Sequence, residues 1–432
     1  MNVLALAVGP AAIQAAVLDT AAGKVVGGSL ARTDFAVAAP GPDAAEVSWE
    51  NLWQALTQAA RAATRRAPEV QAIGMAVWTP GLVLVNHTDQ PCRPIRLPSD
   101  RRARPAARQV DAVVGEELLA STGHRPIPGA MSAICLRQLL LLDPYLAHEI
   151  KSYLHINGWL GLHMTGERAF DPCNASCTGL YGTLTDQAWS PRWCDYFEIE
   201  PAWLPEVRPA DDTVGSVRSA VAAELGVLPG IPVKVGASDI TSTILALDMK
   251  PGDLLHMEGS TQLLAVVVET PEADRRRFTR KFGIGGSFVY VTHNPLSGVT
   301  LDWIKDLCFR DQNPQEFFTR TLAEALARTT RVQFDPPFLA GDPLEIEARR
   351  GALRDLELTS DRLDVLAGLL SALDRRHRQA LAALELTGPL GRVFLTGAGA
   401  ERIRLLLPAY HTADVREFGN GSLYGIAGLF PP

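Results

Sequence analysis

Strand-forming runs alternate with long amphipathic helical runs through both halves of the chain, and that alternation restricts the fold to α/β layering. The chain opens as a meander. Val3–Val8 is apolar and β-rich, Gly9-Pro10-Ala11-Ala12 turns it, Ile13–Leu18 returns, and Lys24–Leu30 reads as a third strand. The stretch 250–268 repeats the plan of strand, glycine-centred turn and strand roughly 250 residues later, which suggests an internal duplication. Ser48 is placed to cap a helix over Trp49–Arg66, whose Leu52, Trp53, Leu56, Ala59, Ala60 and Ala63 share one face. Val70–Trp78 and Gly81–Asn86 read as buried strands, and 104–120, 131–142 and Glu149–Met164 as helices. Later come a strand over 286–293, a helix near Leu301–Cys308 and a long amphipathic helix over Asp361–Leu384. Arg392–Leu395 is a strand that runs into the turn Thr396-Gly397-Ala398-Gly399-Ala400 and a helix start at Glu401–Leu407.

A chain of 432 residues exceeds what one compact core holds, so two or three domains are expected. The net charge of −7, without a long basic stripe, argues against a nucleic-acid partner. No apolar run reaches the ~18–20 residues that a membrane span needs. The apolar N-terminus has no Lys or Arg ahead of it and alternates like strands, which argues against a cleaved signal peptide. The six cysteines are scattered, and Cys173 and Cys177 lack neighbours to complete a zinc site; free thiols in a reducing cytoplasm are the reading.

The stretch 233–268 concentrates the candidate chemistry. A β-rich run ends in Gly236-Ala237-Ser238, and one acid, Asp239, follows. A second run, Leu254–Met257, meets the turn Glu258-Gly259-Ser260-Thr261 and returns as Gln262–Val268. An acid at a strand end can accept a hydroxyl proton, and turn amides with hydroxyls can hold phosphate oxygens. Asp239 equally suits the cap of a helix over Ile240–Leu247, and both readings stand. The strand–TGAGA–helix unit at 392–407 lets backbone approach a base or ribose, or is a structural turn. Asp100 with Arg102 is a polar-ligand contact or a solvated ion pair. Asn174 after Asp171 contacts ligand hydroxyls or caps a turn. Trp78 stacks on a sugar face or fills a core. The run Arg275–Arg277 reads as a solvated loop.

Taken together and in order, these pieces resemble the FGGY family of carbohydrate kinases, which includes glycerol, xylulose and ribulose kinases. The stretches IGMAVWTPGLVLVN (73–86) and RPIRLPSDRRA (93–103) look like the family's first sugar-contacting strand and the loop after it. MTGERAFDPCNAS (164–176) is similar to its TGE…D..NAS segment, and VGASDITSTILALDMKPGDLLHMEGSTQLL (235–264) to the segment with the catalytic acid and second phosphate hairpin. PPFLAGDP…ARRGAL (336–353), LTSDRLDVLAGLLSAL (358–373) and FLTGAGAERIRLLL (394–407) look like the adenosine-binding half. The resemblance implies an α/β fold of two actin-like ATPase (ribonuclease H-like) domains with a cleft between them: 1–236 for the sugar and 237–432 for the nucleotide. It implies transfer of the ATP γ-phosphoryl group to a sugar or polyol, with Mg2+, in the cytoplasm and in some members as a homodimer. Asp239 would be the general base. Gly9, Gly259, Ser260 and Thr261 would hold phosphates, and Gly397, Ala398 and Gly399 would face the adenosine. Trp78, Thr79, Asp100, Arg102, Asn174 and Asp239 would lie near the sugar.

Several positions depart from the family. Its first hairpin reads Asp, any residue, Gly, Thr, Thr; here the positions hold Ala7, Val8, Gly9, Pro10 and Ala11. The acid that supports the metal and both hydroxyls are gone, and Pro10 brings no N–H. Losing one oxyanion-type contact costs about 2.7–4 kcal/mol, so several losses together bear on whether transfer survives. Ile240 stands where the family often has Gln, and Pro98 where it has Trp. Glu258 is a candidate replacement for the metal ligand, although in the duplicated pattern it aligns with Val8, on the opposite face from Ala7. A kinase-fold protein that binds without transferring phosphate is the alternative reading.

Overall fold

The structure is a computed structural model of the chain; it describes residues 1–67, 69–259, 262–294, 298–334, 344–347, 351–386, 390–397, 410 and 413–431, those at 298–299 without side chains. The chain packs as two units. One comprises Met1–Met249 with Val268–Val289 and Asn420–Pro432, the other Lys250–Val267 with Tyr290–Gly419. The resemblance implies halves at 1–236 and 237–432, whereas these units interleave along the chain.

In the first unit the strand Asn2–Val8 pairs antiparallel with Ala12–Asp19 and parallel with Ala72–Val77. The sheet continues past Ala72–Val77 to Pro232–Lys234 and Thr213–Ser216. All but the first residue of Asn2–Val8, and all of Ala72–Val77, are buried, as expected of central strands covered on both faces. The run after Asp19 is not one strand to Leu30. It pairs only over Lys24–Val25; Gly27 and Gly28 follow with φ +58° and +64°, a conformation that breaks a strand, and pairing resumes at Ala31–Asp34. Ser48 caps the helix Trp49–Thr64 by accepting the Asn51 N–H at 3.1 Å.

The expected helix over Glu149–Met164 is two elements. Ile150–Leu154 is a strand antiparallel to Val83–Asn86, and the helix runs only from Ile156 to Thr165, stopped by Gly166 at φ +90°. Tyr153 and Leu154 are fully buried in that strand, so side-chain packing against its partner overrides the helical periodicity.

The second unit repeats the plan. Leu254–Glu258 pairs antiparallel with Gln262–Val268 and parallel with Arg392–Thr396, which in turn pairs with Asp414–Glu417. In both units a hairpin's first strand lies beside a strand that ends at a proposed ligand turn, Trp78-Thr79 in one and Gly397 in the other. The duplication read from the sequence is thus present in the topology. Asp361 caps the long helix Arg362–Ala383 through a capping box with Asp364.

The segment 420–432 positions the helix Asp239–Leu247. Ser242 Oγ donates to the Ser422 carbonyl at 2.7 Å, and a Cβ on Gly425 would fall 1.6 Å from the Ser242 carbonyl oxygen, so only glycine fits there. Leu423, Ile426, Leu429 and Phe430 then join Ala5, Ala7, Ala76 and Ala237 in one apolar cluster.

Candidate functional site around Asp239

Asp239 is the first residue of its helix, and it is not the cap. Ser238 caps, its hydroxyl accepting the Thr241 N–H at 3.1 Å. That leaves the Asp239 carboxyl partly exposed, with Oδ1 accepting the Ile240 N–H at 2.8 Å. Burial pushes its pKa up to about 6, against the opposing pull of the Ile240 amide and the Arg280 guanidinium. A carboxylate that titrates near neutrality is suited to accept a hydroxyl proton.

Beside it lies the short helix Pro172–Ser176. Asp171 caps that helix: Oδ1 accepts the N–H groups of Cys173 (2.9 Å) and Asn174 (3.2 Å), and Oδ2 accepts the side-chain amides of Asn174 (2.6 Å) and Asn157 (3.0 Å). Burial raises its pKa to about 6 despite these donors. The two helix starts are tied together, since Cys173 Sγ donates to Ser238 Oγ at 3.3 Å. The strand end after Phe278–Lys281 is tied to both helices. Lys281 N–H donates to Ser176 Oγ, Thr241 Oγ1 donates to the Phe282 carbonyl, and a Cβ on Gly283 would stand 3.2 Å from Asp171 Oδ1.

Asn174 is wholly buried, and its amide is committed on both sides. Its Nδ2 donates to Asp171, so Oδ1 is the acceptor, and it receives Thr79 Oγ1 at 2.7 Å and His155 Nδ1 at 3.0 Å. This fixes the His155 tautomer: with Nδ1 donating, Nε2 accepts from Ser132 Oγ at 2.7 Å, and Ser132 in turn accepts from the Tyr153 hydroxyl. Burial holds the His155 pKa at about 3, so the ring is neutral. Thr79 spends its hydroxyl hydrogen on Asn174, also meets the Cys177 thiol, and remains partly exposed. Trp78 is 3% exposed, its ring stacked on Phe35 at 6.4 Å and its buried Nε1 without a partner.

Asp100 and Arg102 form a separate cluster that is closed on itself. Asp100 is fully buried, and Oδ2 accepts from Ala45 N–H (3.1 Å), Arg102 Nε (2.8 Å) and Arg102 Nη2 (2.6 Å). Arg102 Nη2 also donates to Glu46 Oε2 at 2.5 Å. The pair is therefore a clamp on a buried carboxylate, with the Arg102 side chain partly exposed, and it fastens the 97–102 loop to the 43–46 segment.

In the second unit, Glu258 is fully buried with its carboxylate against His256 Nε2 (2.9 Å) and Gln262 Nε2 (3.4 Å). His256 Nδ1 meets the Tyr410 hydroxyl at 2.5 Å, and Gln262 Oε1 accepts from His377 Nδ1 at 2.7 Å. Gly397 has φ +105°, and a Cβ there would lie 2.0 Å from the Glu258 carbonyl oxygen, so that turn requires glycine. Gly259 is exposed, while Ser260, Thr261, Ala398 and Gly399 lie outside the described residues. In the first hairpin, Gly9 N–H is spent on the Ala12 carbonyl at 2.9 Å, and Ala7 lies in the apolar cluster, 5% exposed. These residues do not fit a metal or a phosphate. Among the described residues no group of three His, Cys, Asp or Glu side chains is arranged to hold a metal ion.

Sequence reasoning missed two residues of this region, His155 in the Asn174 network and Arg280 within electrostatic reach of Asp239. His155 is a single histidine at a strand end, without a spacing signal. Arg280 stands in a strand whose four residues are all buried, and the only cue was its charge within the β-run FTRK. The run Arg275–Arg277 is only partly a solvated loop: Arg275 and Arg276 are exposed and pair with Glu116 and Asp274, whereas Arg277 is buried. The cysteines are free, as expected; Cys173 and Cys177 are buried beside Asp239, and burial raises their pKa values.

Solved structures of carbohydrate kinases share the fold. A xylulose kinase from Brucella ovis aligns with a TM-score of 0.84 at 22% identity, over 99% of this chain and 90% of that one. A gluconate kinase from Lactobacillus acidophilus aligns at 0.88 and 17%, over 99% and 88%. The fold is the two-domain actin-like ATPase fold. Residues 2–246 match the N-terminal domain of the FGGY family of carbohydrate kinases, more than half of the chain, and the chain belongs to that family. Among curated relatives, a putative sugar kinase, YoaC, of Bacillus subtilis is 26% identical over 231 residues, 53% of this chain and 46% of that protein. An autoinducer-2 kinase of Photorhabdus laumondii is 24% identical over 265 residues, 60% and 49%. The chain spans about half the length of these curated relatives. No described helix is long and apolar enough to cross a membrane.

Proposed function

We propose that the protein is a carbohydrate kinase that transfers the γ-phosphoryl group of ATP to a hydroxyl of a sugar or polyol, with Asp239 as the general base. The observation that carries this is the placement of Asp239: a partly exposed carboxyl at a helix start, its pKa pushed up by burial, on a helix tied through Ser238 and Cys173 to the short helix that carries Asn174. In this reading the sequence half 1–236 binds the sugar, through Thr79 and the positions around it, including Trp78. The half 237–432 binds the nucleotide, through the 258–261 turn and the turn at Gly397–Gly399. Asp100, Arg102 and Asn174 act by fixing the loops around the site, since the carboxylate of Asp100, Nε and Nη2 of Arg102 and the amide of Asn174 are engaged within the protein.

A second reading is favoured by one specific observation. Ala7 sits in an apolar cluster at the position of the family's metal-supporting acid, so the phosphate end lacks that charge. In that reading the protein binds a sugar or a nucleotide and does not transfer phosphate.

Two measurements separate the readings. Calorimetric titration of ATP with and without magnesium tests the nucleotide site. ADP release is then screened with xylulose, gluconate, glycerol and autoinducer-2, the compounds named for relatives, with Asp239→Ala as control. ADP release that depends on both Asp239 and one acceptor establishes the kinase. Nucleotide or sugar binding without turnover establishes the second reading.

A further inference from the structure

Arg280 is 3% exposed, yet its guanidinium makes no hydrogen bond or ion pair among the described residues, and its buried Nε has no partner. Its one packing contact of note is with the Phe278 ring, whose centroid lies 5.5 Å from Cζ. The strand that carries it is pinned at its end to both helices of the site, through Ser176 at the end of one and Thr241 in the first turn of the other. The guanidinium accordingly sits within electrostatic reach of His124, His155, Cys173, Cys177 and Asp239, and it acts on the titration of each.

A buried cation without an ion-pair partner is costly, and none of the described residues stands at bonding distance from it. Asp171 is occupied by four N–H donors, Asp239 forms no ion pair with it, and His124 and His155 are held neutral by burial. Neutral sugar hydroxyls do not repay such a desolvated charge; amides, hydroxyls and a neutral imidazole recognise them at lower cost. A planar guanidinium does match a carboxylate, through two parallel N–H···O bonds. Resting on the kinase reading above, we propose that Arg280 is the anion receptor of the acceptor site. The acceptor is then a sugar acid, its carboxylate on Arg280 and one of its hydroxyls at Asp239.

The test is calorimetric titration of the full chain, without ATP, with four- to six-carbon aldonates and with the matching neutral polyols. An aldonate is expected to bind roughly 10²-fold or more tightly than its polyol, since a site built for a polar group rejects the analogue that lacks it. Arg280→Met is expected to lose that aldonate affinity by a similar factor while its melting temperature stays level or rises, because an uncompensated buried charge is removed. A charge with a structural role would give a lower melting temperature. Should Arg280→Met fail to fold, Arg280→Lys keeps the charge without the fork and is expected to weaken aldonate binding about tenfold. The proposal is overturned if no aldonate binds, if the polyols bind as well as the aldonates, or if the variant that folds binds aldonate as the native chain does. Because binding is read without nucleotide, absence of phosphoryl transfer does not touch it. Conversely, Asp239-dependent turnover of a neutral sugar overturns it and leaves the kinase reading intact.

Discussion

Asn174 Nδ2 donates to Asp171 Oδ2 at 2.6 Å, and that bond decides the direction of every hydrogen bond beyond it, through His155 and Ser132 to Tyr153. Removing the amide leaves Thr79, His155 and a buried carboxylate short of partners at once. Asn174→Ala is expected to cost about 2–4 kcal/mol of stability, the range for breaking a buried network. Chemical denaturation checks it. A residue that served only as a sugar contact would instead weaken sugar binding at unchanged stability.

Asp239 carries an opposed pair of effects. As general base, its loss is expected to lower turnover by about 10²–10⁴-fold in Asp239→Asn. As a carboxyl whose pKa is raised from 3.8 to about 6 in the folded chain, it costs stability when ionised. The folded state holds the proton more tightly than the unfolded state, so the native residue's contribution is complete below pH 4 and is lost as pH rises through 6. Asp239→Asn is therefore expected to be more stable than the native chain at pH 7.5, by about 1–3 kcal/mol, with the advantage vanishing near pH 4. Melting curves at the two pH values test the sign, and a variant less stable at pH 7.5 contradicts the burial argument.

Ala7 shows why the missing acid cannot simply be restored. It pairs in register with Gln14 and Ala76 and faces the cluster that includes Leu423, Ile426 and Phe430. A carboxylate there meets apolar side chains of that cluster. Ala7→Asp is expected to destabilise the chain by several kcal/mol, of order 2–4, and more at pH 8 than at pH 5, because the buried acid folds more readily when protonated. It is also expected to bring no magnesium-dependent gain in ATP affinity. A gain, measured by calorimetry, would mean that the side chain reaches the phosphate end.

The legible part of this protein was local or carried by ordered motifs. The Gly9 turn, the Ser48 cap, the Asp361 helix start and the order of the family segments could be read along the chain, because each depends on residues a few positions apart. The site around Asp239 depends on distant partners: Thr79 and Asn174 are 95 residues apart, and Lys281 and Ser176 are 105 apart. Ile150–Leu154 does not declare itself as a strand, because only Lys151 is exposed and Ser152, Tyr153 and Leu154 are buried in succession, without the alternation that marks one. Arg280 carried a charge into a buried strand, the kind of local conflict that marks function, but burial is not visible in the sequence.

Glu258 separates a metal ligand from a core acid. Its carboxylate lies fully buried against His256 and Gln262, on the network that continues to Tyr410 and His377. A magnesium ligand is hydrated and keeps an open coordination side, which a carboxylate committed in this way does not offer. Glu258→Gln is thus expected to leave the magnesium dependence of ATP binding unchanged. The same variant replaces an acceptor oxygen with an amide that opposes the Gln262 amide, and it is expected to cost about 1–3 kcal/mol of stability. Calorimetry and denaturation on one preparation read both quantities. Loss of magnesium dependence without loss of stability would place Glu258 on the metal and return it to the site.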